Sequence, residues 1–158
     1  MKILVAGMGN VLRADDGFGV RVAQVLAQQS LPGGTRVAEV GISGLALVHE
    51  IMDGCDACII VDATRRGGTP GMLYVLKPSE VKTLANAKEI DPHAVEPGRA
   101  LLLAQAWGAR PEQVYVIGCE PAETEELTDK LTSPVERAIG PAIEAVLRLV
   151  AELDNASH

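Results

Sequence analysis

Five short apolar, β-branched runs, each bounded by Gly, Pro or Asp and separated by segments of helical period, leave this chain few ways to fold. Residues 3–6, 36–40, 57–61, 72–76 and 114–117 read as strands. Three are nearly continuous hydrophobic runs, and a strand apolar on both faces needs cover on both, as in a parallel sheet between helical layers. Phe18, Val22, Val25 and Leu26 recur at helical spacing after Asp15-Asp16-Gly17. Leu45, Val48, Ile51 and Met52 do the same after Ser43, with Asp53-Gly54 closing the helix. Pro97 and Gly108 bracket a third helix, and residues 78–86 suit a short surface helix. The last helix opens on a capping box, in which the Ser133 hydroxyl accepts an amide hydrogen bond and Glu136 reaches back, with Pro134 between. Its expected buried stripe is Val135, Ala138, Ile139, Ile143, Val146, Leu147, Val150 and Leu153, with a kink where Pro141 crowds the Arg137 carbonyl. The alternation predicts an α/β/α sandwich with a mostly parallel sheet, one domain over 1–153 and a frayed tail over 154–158.

At 158 residues the chain can bury a full core without staples. Its 14 Lys+Arg against 21 Asp+Glu give a net charge of −7, which repels phosphate backbones, and no basic patch offsets it. No stretch approaches the roughly 18 apolar residues of a membrane helix. Gly7-Met8-Gly9-Asn10 ends the first apolar run too early for a signal peptide. The expectation is a cytoplasmic protein without nucleic-acid or membrane partners. Three cysteines, an odd number, argue against a disulfide framework. Cys55 and Cys58 form a C-x-x-C with no second pair at zinc spacing, and Cys58 lies inside an apolar run, so core packing is expected.

Parallel sheets place chemistry beyond the carboxyl ends of their strands. The first such loop is rich in glycine, but Leu12 stands where a dinucleotide fingerprint needs Gly. Two carboxylates also stand where a pyrophosphate would want bare amides. One of Asp15 and Asp16 suffices to cap the helix that follows, which leaves the other to face the cleft. Asp62 ends a very apolar strand, and the Arg65-Arg66-Gly67-Gly68 that follows reads as a loop with no helix to cap. The two arginines suit a substrate carboxylate or a solvated turn. Of the three histidines, His158 is in the tail and His49 lies among helical residues, whereas His93 sits in a Pro-bracketed loop without a packing pattern. Asp16, Asp62 and His93 together would make a two-carboxylate, one-imidazole site suited to a divalent transition ion with open positions. There is no G-x-S-x-G elbow and no H-E-x-x-H helix. Cys119 could pair with His93 as a thiolate nucleophile, but its place at the end of an apolar strand predicts burial.

The run from Gly7 to Gly19, G-x-G-N-x-L-x-x-D-D-G-x-G, resembles the signature of the hydrogenase maturation endopeptidases. Matches continue in family order through Gly41-Ile42-Ser43-Gly44-Leu45, Val61-Asp62-Ala63, Gly68-Thr69-Pro70-Gly71 and His93. Ile117-Gly118-Cys119-Glu120-Pro121 and Leu131-Thr132-Ser133-Pro134-Val135 complete them. Ile42 and Thr132 depart from the usual residues, and neither touches the triad.

The resemblance implies a three-layer α/β/α sandwich of the phosphorylase/hydrolase-like kind. Its five-stranded mixed sheet would have order 2-1-3-5-4, with the strand over 72–76 antiparallel. It also implies a metal-binding triad of Asp16, Asp62 and His93, which are the best catalytic candidates too, although the group that activates water is not assigned. The implied activity is that of an aspartic-type endopeptidase. It removes the C-terminal extension of the nickel-iron hydrogenase large-subunit precursor after nickel insertion. Nickel supplied by the substrate would be the recognition element, with no nucleotide cofactor and a monomeric enzyme. Cleavage would follow by water attack on a carbonyl polarised nearby. The competing expectation is a non-catalytic nickel-sensing chaperone module on the same fold.

Overall fold

The computed structural model describes residues 1–77, 79–80, 108 and 111–158. Strands β1 (Ile3–Met8), β2 (Thr35–Gly41), β3 (Ala57–Ala63), β4 (Leu73–Leu76) and β5 (Gln113–Cys119) form one sheet of order β2-β1-β3-β5-β4. Its first four members run parallel, and β4 lies antiparallel on β5 at the edge. This is the order and the antiparallel fourth strand that the resemblance implied. β3 pairs with both β1 and β5, so the carboxyl ends of three adjacent strands open at one edge.

Alternation within the strands sends side chains to two cores. Ile3, Val5, Ile59 and Val61 face one side. There helix α1 (Phe18–Leu26) contributes Phe18, Val22 and Leu26, and helices α3 (Ser133–Arg137) and α4 (Ile139–Ala156) contribute Val135, Val146 and Val150. Leu4, Ala6, Cys58 and Ile60 face the other, covered by Leu47, Val48 and Ile51 of helix α2 (Gly44–Met52). Each fully buried Leu, Ile or Phe side chain contributes about 1.5–3 kcal/mol, so the helical layers are held chiefly by these contacts. Gly19 sets the spacing of α1: a Cβ there would fall on the carbonyl oxygens of Val61 and Met8. The helix axis therefore approaches β1 and β3 more closely than any side chain would allow.

The strands run one or two residues beyond most of their expected ends, and Asp62 lies inside β3, opposite Gly118 of β5. Ser43 caps α2 as its position suggests, accepting the Ala46 amide at 3.1 Å. Val25, Leu45 and Met52 share the helical spacing of their neighbours but remain exposed.

The capping box on the last helical segment is corrected. The N-cap is Thr132, and no side chain caps the helix, because the Thr132 hydroxyl is turned to Asp15. The expected kink is a break: α3 ends at Arg137, Ala138 turns, and α4 begins with Pro141 in its first turn. Pro141 cannot return an amide bond to the Arg137 carbonyl, so one continuous helix is not sustained there. On α4 the stripe gains Ala142 and Leu149, while Ile139 and Leu147 are only partly buried. The helix also continues past Leu153 to Ala156, through part of the expected tail. The helix expected from Pro97 lies outside the described residues, as does most of the one expected over 78–86.

Candidate functional site

Beyond β1 the chain tightens into a short 3-10 turn, Ala14–Gly17, that leads into α1. Asn10 organises the approach: its side-chain oxygen accepts the Leu12 amide at 2.9 Å and its carbonyl accepts the Arg13 amide at 3.1 Å. The Asn10 amide donates to Oδ2 of Asp16 at 2.9 Å, folding the carboxylate back over the end of β1. Gly9 makes this possible, since its φ of +123° is left-handed and a Cβ there would fall on the Asp16 carbonyl oxygen. That same Cβ position is 3.5 Å from Oδ1 of Asp62. Gly9 thus adjoins both the backbone of Asp16, in the first loop, and the carboxylate of Asp62, at the end of β3. Asp16 is 6% and Asp62 8% exposed, an expensive burial for two carboxylates unless hydrogen bonds or a cation offset it. Asp16 Oδ2 accepts the Asn10 amide, and Asp62 Oδ1 accepts the Ala63 amide at 2.8 Å.

The two neighbouring aspartates divide the work differently from the expected cap and cleft. Neither side chain caps a helix. Asp15, fully buried, accepts the amides of Ala122 at 2.8 Å, Glu123 at 3.0 Å and Thr132 at 2.7 Å, and the Thr132 hydroxyl at 2.8 Å. It clamps the chain after β5 to the chain after β1. The reason is local: the segment after β5 has amides to satisfy at the sheet edge, and Asp15 is the carboxylate that reaches them.

His93, the third member of the expected triad, lies outside the described residues. Among the described residues no three His, Cys, Asp or Glu side chains converge to hold a metal ion. Two carboxylates with an imidazole are a set of the kind that divalent transition ions accept. His49 is exposed on α2, and His158 lies 4.0 Å from Asp154 near the chain's end.

Sequence reasoning named Glu120 only within a motif and gave it no role; it is 4% exposed just beyond β5. Its Oε1 accepts the amides of Arg66 at 2.9 Å and Gly68 at 2.7 Å and the Tyr74 hydroxyl at 2.7 Å. Burial alone would raise its pKa. The Tyr74 hydroxyl, the two amides and the nearby Arg65 charge outweigh that and hold it below the ordinary carboxylate value. Burial and the Glu120 charge push the Tyr74 phenol upward. The signal available was the one that marked Asp62, an acid ending an apolar strand. Cys119 is fully buried, as expected, and burial together with the Asp15 and Glu120 charges pushes its thiol up to about 12. A thiolate is therefore scarce near neutral pH. Cys58 is likewise buried and its thiol is raised, so the C-x-x-C has one member inside the core.

A sequence-family profile described as "HycI: Hydrogenase maturation protease" matches residues 20–149. The chain is 36% identical over 152 residues to the hydrogenase expression/formation protein HupM of Azotobacter chroococcum, covering 96% of this chain and 72% of that protein. It is 34% identical over 154 residues to the hydrogenase 2 maturation protease of Escherichia coli K12, covering 96% and 92%. Among solved structures, the hydrogenase maturating endopeptidase HybD from E. coli superposes with a TM-score of 0.85 at 32% identity, over 96% of this chain and 93% of that one. The nickel-iron hydrogenase maturation protease HybD from Thermococcus kodakarensis does so with a TM-score of 0.79 at 25% identity, over 95% and 99%.

Proposed function

The chain belongs to the hydrogenase maturation protease family, a family of peptide hydrolases, and on that premise we propose that it removes the C-terminal extension of a nickel-iron hydrogenase large-subunit precursor, reading the nickel already inserted in that substrate. The observation that carries this reading is the placing of two largely buried carboxylates at the carboxyl edge of a parallel sheet, Asp16 on the Asn10 amide and Asp62 beside the neighbouring Gly9. Buried acids gain most from a cation, and a substrate that brings its own ion would meet them on docking. In this reading Asp16, Asp62 and His93 hold the precursor's nickel region, and the protein keeps no metal or nucleotide of its own.

The hydrolysis adds water across one peptide bond, giving a new carboxylate on the mature subunit and a new amine on the released extension. Asp16 and Asp62 fix the precursor at the strand ends and are the groups available to take a proton from the attacking water, as in an aspartic-type endopeptidase. Burial of Cys119, which with the Asp15 and Glu120 charges pushes its thiol up, argues against it as the nucleophile. Among the described residues no helix is long and apolar enough to cross a membrane. The reading takes the protein as a cytoplasmic, monomeric enzyme whose partner is the precursor, with neither nucleic acid nor membrane; the net charge of −7 supports the part that concerns phosphate backbones.

The test is incubation of the purified protein with nickel-loaded and nickel-free precursor, read by product mass. Cleavage of the loaded form alone, retained in Cys119→Ser, is expected. Nickel-dependent binding without cleavage would assign the protein to a chaperone role, and loss of cleavage in folded Cys119→Ser would point to a thiol mechanism.

A further inference from the structure

Arg65 and Arg66 are consecutive exposed cations on an acidic chain, three and four residues beyond Asp62. Each is held from a different direction. Arg65 Nη2 donates to Oγ1 of the buried Thr124 at 2.7 Å, in the segment that Asp15 clamps through the Ala122 and Glu123 amides. The Arg66 amide is fixed by Glu120, and its guanidinium lies 5.6 Å over the centroid of the Tyr74 ring. The Glu120 backbone also fixes the far end of the loop, accepting the Gly71 amide and donating to the Met72 carbonyl, both at 2.8 Å. An exposed arginine ordinarily loses much rotamer freedom when it captures a ligand. Here a hydrogen bond orders one guanidinium and an aromatic face orders the other, so much of that cost is met before a ligand arrives. Two cations against one buried carboxylate leave the loop net positive beside an otherwise acidic site.

We propose that Arg65 and Arg66 form a carboxylate-binding arm beside the Asp16–Asp62 site, presented by the buried Glu120 and its half-buried partner Tyr74, and that the arm grips a carboxylate of the precursor's extension. The planar guanidinium fork matches a carboxylate bidentately. A peptide extension offers that group from two sources, acidic side chains and its own C-terminus. Glu120 is a positioning residue here, acting through Arg66. The inference rests on the protease reading above.

The experiment measures Kd, KM and kcat for the nickel-loaded precursor with wild type, the Arg65→Ala/Arg66→Ala double variant and Glu120→Gln. Two further substrates separate the sources: a precursor whose extension acids are changed to amides, and one with an amidated C-terminus. Losing the arm raises Kd and KM about tenfold with kcat within about twofold. One neutralised precursor reproduces that loss on wild type, and the double variant loses little more on it. Glu120→Gln moves KM in the same direction, and adding it to the double variant has little further effect. A purely structural Glu120 would instead lower thermal stability with KM unchanged. Normal binding and cleavage by the folded double variant, or wild-type affinity for both neutralised precursors, overturns the arm and leaves the protease reading intact. Arginine-dependent binding without any cleavage overturns the protease reading and leaves the arm.

Discussion

Replacing Asp15 by Ala removes the acceptor of four donors at once, in a side chain with no solvent exposure. Each buried donor left unpaired costs about 1–3 kcal/mol, so Asp15→Ala should lower unfolding stability by about 3 kcal/mol or more in urea titrations. Asp16→Asn keeps an oxygen for the Asn10 amide, so the same titration should move by less than about 1 kcal/mol. The contrast separates a clamp from a ligand within one dipeptide. Glu120 adds a pH signature. Its folded pKa lies below the ordinary 4.5, so it contributes stability above that pH and loses it as pH falls through the lower folded value. Below about pH 4.5 the urea midpoint of wild type should therefore fall more steeply than that of Glu120→Gln. Parallel slopes would show that Glu120 gains nothing on folding.

At the level of elements, the geometry turns on how closely α1 approaches the sheet. Gly19→Ala would drive a methyl group into the Val61 and Met8 carbonyls. Overpacking of this kind costs about 1–3 kcal/mol, and it displaces the turn that carries Asp16. The expected outcome is a lower thermal midpoint together with reduced precursor cleavage; wild-type values for both would refute this role for the close approach. Strands and helices were largely legible because their periodicity is local: the apolar runs fell in strands, and Ser43 capped α2. The capping box failed because a long-range partner, Asp15, claimed the Thr132 hydroxyl and the helix started one residue earlier. The division between Asp15 and Asp16 was illegible for the same reason. Nothing within the Asp-Asp pair tells which carboxylate faces the 122–132 segment more than 100 residues away. Glu120 was hidden likewise, since its donors come from 46 to 54 residues upstream.

Across the whole molecule, the order β2-β1-β3-β5-β4 brings the first loop, the end of β3 and the segment after β5 to one edge. The sandwich class was readable from alternating runs, whereas the strand order came from the resemblance of the Gly7-to-Gly19 motif and those that follow it. Asp16 and Asp62 were named from sequence, and the fold sets the Asp16 backbone and the Asp62 carboxylate on either side of Gly9. His93 lies outside the described residues, and its share in the site stands as part of the proposal. The central claim is that these two carboxylates jointly handle the precursor's nickel region. Its most direct measurement is cleavage of nickel-loaded precursor by Asp16→Asn, Asp62→Asn and the double variant, each checked for native thermal stability. Cleavage should fall at least a hundredfold in each single variant, with the double variant scarcely worse, as expected of groups that act as a unit. Near-wild-type cleavage by the folded double variant would contradict the account.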